Sequence, residues 1–391
     1  MPALLDVFLI FLRLGLTSFG GPVAHLGYFR TEFVERRRWL DEAAYADLVA
    51  LCQFLPGPAS SQVGMALGLS RAGLWGALAA WAGFTLPSAA LLVAFAFGVG
   101  TAGDVGDAGW LRGLKIVAVA IVAQAVLGMS RTLTPDRPRL LIALGAAVTA
   151  LLLPEAPAQV GIIAAAGLIG WRALPAAELR ATSGLPVRLS RRRGAAFLGV
   201  FAALLALLPV LRAALGGPAL ALVDSFYRAG ALVFGGGHVV LPLLEAEVVR
   251  GGWVTPDAFL AGYGMTQAVP GPLFTFSAYL GAVSTLGLPA LTAAGLALGA
   301  VFLPSFLLVA GALPFWSALR ERPPAQAALR GVNAGVVGLL LAALYSPVFT
   351  AGVHSAAEFA SVLGAFALLE VLNWPVWLVV ALAAVLGALA L

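Results

Sequence analysis

A chain of 391 residues that is 61% apolar and only 10% charged is no ordinary soluble domain, where about a quarter of residues carry charge. Its mean hydropathy of +0.99 and its recurring apolar runs of about 18 residues or more mark a helical protein that crosses a bilayer many times. The single cysteine, Cys52, excludes an intrachain disulfide and any cysteine-cluster metal site, and the modest excess of 23 Lys+Arg over 18 Asp+Glu sits mostly in loops, where it orients a membrane protein rather than binding nucleic acid.

The opening "MPALLDVFLIFLRLG" has no basic start and no Ala-x-Ala site, so it is expected to be a membrane segment rather than a cleaved leader. Apolar segments follow at about 4–29, 43–68, 73–100, 110–130, 139–153 and 157–173. An arginine-rich linker (Arg172 to Arg193) and one extra apolar helix, about 195–215, come next. Six more segments fall at about 219–243, 256–284, 288–314, 326–345, 350–370 and 374–391.

The second six repeat the first. "FLRLGLTSFGG" (Phe11–Gly21) aligns with "FYRAGALVFGG" (Phe226–Gly236) at an offset of 215, and Trp39 with Trp253 at 214. Gln53-x-x-Pro56-Gly57-Pro58 aligns with Gln267-x-x-Pro270-Gly271-Pro272, also at 214. "FTLPS" (Phe84–Ser88) resembles "VFLPS" (Val301–Ser305), and "LRGLKIVAVAIVAQAVL" (from Leu111) resembles "LRGVNAGVVGLLLAALY" (from Leu329) at 218. The expected fold is an all-α polytopic membrane protein made of two homologous six-segment halves and one central linking helix, with helices broken at Pro-Gly-Pro. Its parts are a repeat over 1–173, the linker and extra helix over 174–218, and a second repeat over 219–391.

Seven segments separate equivalent points, so the halves are expected in inverted orientation. Loop charge agrees. Arg131, Arg137 and Arg139 follow the fourth segment, while the partner loop near Ser346–Ala351 has no Lys or Arg; Asp104 and Asp107 are matched by Arg320 and Arg322. The linker and the N-terminus are then cytoplasmic. Arg30, Arg36, Arg37 and Arg38 oppose this, since they would lie outside. A Pro-Gly-Pro hairpin that does not cross would move them inside and make the halves parallel.

Proline lacks a backbone donor and glycine permits strained dihedrals, so each Pro-Gly-Pro ends one half-helix and starts another. Inverted repeats with paired breaks are the signature of secondary transporters, and the free N–H groups of a half-helix attract anions. Ser60 and Ser61 follow the first break and Thr275 the second, with Gln53 and Gln267 before them, all possible donors beside Gly57 and Gly271. Arg13 and Arg228 are matched cations upstream of the kinks that contain Thr17, Ser18, Gly20 and Gly21 in one half and Gly235 and Gly236 in the other. Cations with few acids at depth favour a small anion. His25 and His238 follow the kinks, out of register, as candidate proton carriers. The bland alternatives are kinks without function, a snorkelling Arg13, structural histidines, interfacial Arg112, Arg330, Trp39 and Trp253, and a wet helix end at Glu245 and Glu247.

"LRLGLTSFGGPVAHLGYFRTEFVERRRWLDE" with "ALCQFLPGPASSQVG", and "FGGGHVVLPLLEAEVV" with "FLAGYGMTQAVPGPLFTFSAYLG", resemble the two halves of the chromate ion transporter family. The resemblance implies a long-chain, two-domain carrier in the cytoplasmic membrane that exports chromate at the expense of the proton motive force. It also implies antiparallel halves, no cofactor, and sulfate as a look-alike substrate. The expected partners are chromate or sulfate, protons and lipid, with a homodimer as a further candidate and no nucleic acid. A passive oxyanion channel is the rival reading. A membrane enzyme lacks support, because there is no His-Glu-x-x-His, nucleophile motif or nucleotide loop.

Overall fold

The structure is a computed structural model that describes residues 2–101, 109–153, 155–175, 189–234, 237–316 and 322–390, with helices and no strand among them. Asp104, Asp107, Arg320 and most of the arginine-rich linker lie outside the described residues, as do Gly235 and Gly236.

In α1 (Pro2–Thr17), Val7, Ile10, Phe11 and Leu14 are buried while Leu5, Leu9 and Leu16 are exposed. Helical spacing thus sorts its apolar side chains between buried and exposed faces, with Asp6, Arg13 and Thr17 on one stripe. The helix stops because Gly20 and Gly21 have φ of 99° and 77°, which reverses the chain. α2 (Gly21–Arg30), prolonged by a π turn (Thr31–Arg36), folds back along α1. Arg13 meets Glu32, and Arg37 lies 3.8 Å from Asp6 near the start of α1.

α3 (Glu42–Phe54) is capped by Asp41, which accepts from the Ala44 N–H at 2.8 Å, and its Tyr45 hydroxyl donates to the Leu26 carbonyl at 2.6 Å. After Pro56-Gly57-Pro58 comes α4 (Ala59–Thr101). Straight, it would run about 65 Å, twice the hydrocarbon thickness of a bilayer. It does not run straight: Ala72 (φ −140°) and Gly73 (φ 64°) are non-helical. The arms 59–71 and 74–101 fold together where Gly68 meets Gly76, so closely that a Cβ on either would strike the other's backbone. Arg71 then stacks 4.6 Å over Trp39, between α2 and α3.

The second half repeats this plan. α9 (Pro218–Leu232) is followed by a turn (Gly237–Val239) and α10 (Val240–Val248), which folds back to place Glu247 2.8 Å from Arg228. α11 (Pro256–Ala268) leads to the second Pro-Gly-Pro, a turn (Leu273–Thr275) and α12 (Phe276–Val283). Gly281 of α12 packs on Ala293 of α13 (Ala290–Ala312), and the Thr285 N–H donates to the Trp253 carbonyl at 2.9 Å. The expectation that the kinked or broken segments at 4–29, 43–68, 219–243 and 256–284 each count as one crossing is therefore corrected. Each is a pair of half-helices turned back on itself.

The long helices interlock. α5 (Gly109–Leu133) packs on α15 (Ala356–Phe366) and α16 (Val376–Ala390) of the other half, and α14 (Pro323–Ala343) packs on α6 (Arg137–Leu152) and α7 (Ala156–Ala173). Gly113 touches Gly387, and Gly331 touches Gly170. These are equivalent pairs, since 331 is 113 shifted by 218 and 387 is 170 shifted by 217. α8 (Arg191–Leu215) lies outside the bundle with Leu207, Val210 and Leu215 exposed. Among the described residues, five stretches are long and apolar enough to cross a membrane: Ala59–Gly98 (through its arm from 74), Gly109–Leu133, Arg191–Leu215, Ala290–Phe315 and Pro323–Gly352.

Candidate functional site

The chain breaks of both halves meet, and each rests on the other half. The Gly57 N–H donates to the Val233 carbonyl at 2.6 Å, and the Gly271 N–H donates to the Ser18 carbonyl at 3.0 Å. Ser18 and Val233 are equivalent positions, as are Gly57 and Gly271, so one contact is made twice. Both glycines are required by conformation, with φ of 125° and 107°. They are also required by space. A Cβ on Gly57 would lie 2.5 Å from Gln62 Nε2 and 2.6 Å from Ser305 Oγ, and one on Gly271 would lie 2.7 Å from Ser88 Oγ. Ser88 and Ser305 are the serines of "FTLPS" and "VFLPS", each under the other half's tip.

Half-helices start from all of these breaks. Gly237, before α10, lies against Pro22 of α2 and Leu273, before α12. His25 of α2 joins Ser60 at the start of α4: its Nδ1 is 3.4 Å from Ser60 Oγ, and its Nε2 is 3.2 Å from the Ser18 carbonyl. A carbonyl only accepts, so Nε2 carries the proton and Nδ1 accepts from the serine hydroxyl. The starts of α2, α4, α10 and α12 therefore converge, each bringing the positive end of its dipole.

Buried polar side chains lie on the same elements. Ser18, Ser61, Gln62 and Thr85 are at most 3% exposed. Ser18 Oγ, Ser61 Oγ, Gln62 Oε1, Thr85 Oγ1 and Gln267 Nε2 have no hydrogen-bond partner within the protein. Leaving a buried polar atom unpaired costs about 1–3 kcal/mol, so a cluster of hydroxyls and an amide N–H in that state suits an oxygen-rich ligand. Thr275 is buried but donates to the Pro272 carbonyl (2.7 Å). Gln62 Nε2 is held by the Pro56 carbonyl at 2.6 Å. No three His, Cys, Asp or Glu side chains group as a metal would need among the described residues.

The structure thus brings Ser18, His25, Gly57, Ser60 and Gly271 together. Ser61 and Thr275 are buried on the same half-helices. Gly20 and Gly21 form the turn beside them. It does not bring Gln53 or Thr17, which are exposed; Thr17 instead donates to its own helix at the Arg13 carbonyl (2.8 Å). His238 is half-buried and bonded to the Tyr263 hydroxyl at 2.7 Å. Gly235 and Gly236 lie outside the described residues.

The arginines differ from expectation. Arg13 is 53% exposed and paired with buried Glu32, which also takes Arg37 Nε at 2.6 Å. Arg228 holds Asp224 through two 3.0 Å bonds and Glu247 at 2.8 Å, and Ser225 donates to Glu247 at 2.6 Å. The expectation of few acids at depth fails because Glu32 and Glu247, again 215 apart, return to the arginines once the hairpins fold. Glu247 is an ion-pair partner rather than a wet helix end. Trp39 and Trp253 stack under Arg71 and Arg212. Sequence reasoning missed Gln62, Thr85, Ser88 and Ser305. The last two lay in a repeat already visible, and their depth was the missing signal.

The sequence profile of the chromate transporter family matches twice, over residues 5–171 and 220–388. A chromate transport protein of Pseudomonas aeruginosa is 32% identical over 352 residues, covering 86% of this chain and 79% of that one. A chromate transport protein of Cupriavidus metallidurans is 26% identical, covering 85% and 80%. A transporter of uncharacterised function from Methanocaldococcus jannaschii is 24% identical, covering 87% and 83%. No solved structure matches. Doubled profile, duplicated breaks and apolar helices agree: the chain belongs to the chromate transporter family, and is a multi-pass membrane transporter and not an enzyme.

Proposed function

We propose that this chain exports chromate across the cytoplasmic membrane as a secondary carrier driven by the proton gradient, with sulfate as an alternative cargo. The observation that carries this reading is the convergence of four half-helix starts on buried, unpaired hydroxyls. A tetrahedral dianion offers four acceptor oxygens to such a cluster, where N–H groups and hydroxyls act as donors in a low-dielectric setting. Arg13 and Arg228 act on the anion through the hairpins they hold by Glu32 and Glu247. Ser18, Ser60, Ser61 and Thr275 at the breaks are buried, which favours a carrier caught between its two open states over a passive pore.

The halves, 1–173 and 219–391 on either side of the linker and α8, are taken as inverted. Asp6–Arg37, Trp39–Arg71, Asp47–Trp316 and Arg131–Glu370 mark one face of the molecule. Lys115–Asp257, Gln159–Pro242 and Arg212–Trp253 mark the other. With both hairpins of a half turning back, five crossings separate the repeats (74–101, α5, α6, α7 and α8), an odd number. Two re-entrant hairpins preserve the inversion that a single one would abolish, and they bring Arg30 and Arg36–Arg38 to the same face as Arg131, Arg139 and Arg191–Arg193. That arginine-rich face is cytoplasmic.

Uptake of labelled chromate and sulfate into proteoliposomes under imposed pH and voltage gradients tests the reading. Accumulation should follow the pH gradient and saturate with anion. Flux that follows only the anion gradient would favour the channel. In a Cys52→Ser background, single cysteines at Arg38 and Arg137 should react with an impermeant reagent from one side, and cysteines at Gly252 and Gly287 from the other.

A further inference from the structure

Outside the paired breaks, α10 lines a cavity of about 270 Å³ with the side chain of Glu245. Gln159 of α7, Pro242 of α10, Arg250 beyond its end and Ser346 beyond α14 complete its polar wall. Glu245 is 5% exposed, and its hydrogen-bond partner is Arg250 Nε at a long 3.3 Å, from a side chain itself 36% exposed. Gln159 is equally buried. Its Nε2 donates to the Pro242 carbonyl at 3.2 Å, which fixes the amide, and its Oε1 has no donor.

The cavity therefore holds two buried acceptors, a carboxylate and an amide oxygen, faced by a long Arg250 bond and the Ser346 hydroxyl. Adding a single proton to Glu245 turns one acceptor into an O–H donor and supplies what Gln159 Oε1 lacks. The other charged groups packed on α10 are already engaged. Arg228 of α9 is held by Asp224 and Glu247, and His238 of the preceding turn by Tyr263. The α14 residues that line the cavity, Leu339, Ala342 and Ala343, carry no titratable group. Among the described residues, the equivalent position in the first half carries no such site. Its equivalents of Glu245 and Arg250 are Arg30 and Glu35, an exposed pair with the charges exchanged.

We propose that Glu245 is the proton-binding group of the transport cycle, accepting a proton from water at the face where α10 ends and holding it against Gln159 Oε1. The carboxylate passes from −1 to neutral and Arg250 is released to solvent. This rests on the transport reading above and places coupling at neither histidine of the breaks.

The test uses proteoliposomes of the full chain with labelled chromate, comparing accumulation driven by a pH gradient with one-for-one exchange at equal pH. Glu245→Gln should lose about tenfold or more of driven accumulation and keep exchange, with Glu245→Asp partly restoring the driven mode. Gln159→Met removes the acceptor for the protonated form, so the pH of half-maximal driven flux should fall by about one unit. Driven accumulation in Glu245→Gln equal to that of the unaltered chain overturns the proposal. If that variant does not fold, an unshifted profile in Gln159→Met overturns it instead. Absence of chromate exchange by the unaltered chain would sink the transport reading, and this proposal with it; normal exchange with an unaffected Glu245→Gln sinks the proposal alone.

Discussion

The two halves share a backbone plan and diverge in charge. In both, an arginine 215 residues from its twin is tied to a glutamate across a folded-back hairpin. In the first half that pair is at the edge: Arg13 is half exposed, and Glu32 has Arg36 and Arg37 as further partners. In the second half it is interior, where Arg228, 19% exposed, bridges two buried carboxylates that the less buried Arg212 also approaches, at 3.2 Å from Asp224 and 3.7 Å from Glu247. Duplication preserved what glycines and prolines dictate, namely where the chain turns. It left the charged shell free to specialise, since a surface ion pair is worth little and tolerates change.

The sharpest way to break the shared plan is at its tips. Gly57→Val and Gly271→Val should each abolish chromate flux and lower stability by about 1–3 kcal/mol, because a Cβ meets Ser305 or Ser88 of the opposite half. Flux assays beside thermal unfolding in detergent would read both effects, and a stable, active Gly57→Val chain would show that the tips are not in mutual contact. The divergence is tested next. Arg228→Ala leaves Asp224 and Glu247 to the half-exposed Arg212 and should cost about 1.5–3 kcal/mol, whereas Arg13→Ala should cost under about 1 kcal/mol. Equal losses would erase the contrast.

Smaller still, Ser88→Ala and Ser305→Ala should each weaken chromate binding by about three- to tenfold, the worth of roughly one hydrogen bond. Titration calorimetry would show whether the two losses match, as equivalent positions require. The smallest effect belongs to Asp136, the N-cap of α6, whose carboxyl is held below the usual range by Arg139 through side-chain and backbone bonds. A lowered value means its contribution is present above about pH 4 and fades as pH falls through the folded value. Asp136→Asn keeps the cap and removes that dependence, so melting points measured from pH 7 down to pH 3 should differ from those of the unaltered chain by under about 2 °C.

Much of the fold was legible in the chain. Apolar length located the long helices, and the constant offset between motifs exposed the duplication. What stayed hidden was direction. An apolar run of 26 residues reads as one crossing, and nothing in its composition distinguishes a kink at Gly20-Gly21 from a full reversal. The reversal shows only in pairings such as Arg37 with Asp6, which depend on the folded chain. The site was half legible for the same reason. Gly57, Ser60, Gly271 and Ser18 stand in or beside the repeated motifs, but Gln62 and Thr85 take part by depth, and Gln53 looked equivalent to Gln267 until one proved exposed and the other not.

The crossed glycine contacts, Gly113 with Gly387 and Gly170 with Gly331, bear on how the protein is made. Synthesis runs from one end at about 5–20 residues per second. α5 leaves the ribosome long before α15 and α16, so its Gly113 face must wait in lipid for most of the remaining translation. A small-residue stripe tolerates that delay, since it exposes few polar atoms and gains packing only when a partner backbone approaches. Assembly therefore ends with the last helix inserted, and a ribosome stalled before residue 376 would release a chain whose first half is complete in sequence and unfinished in structure.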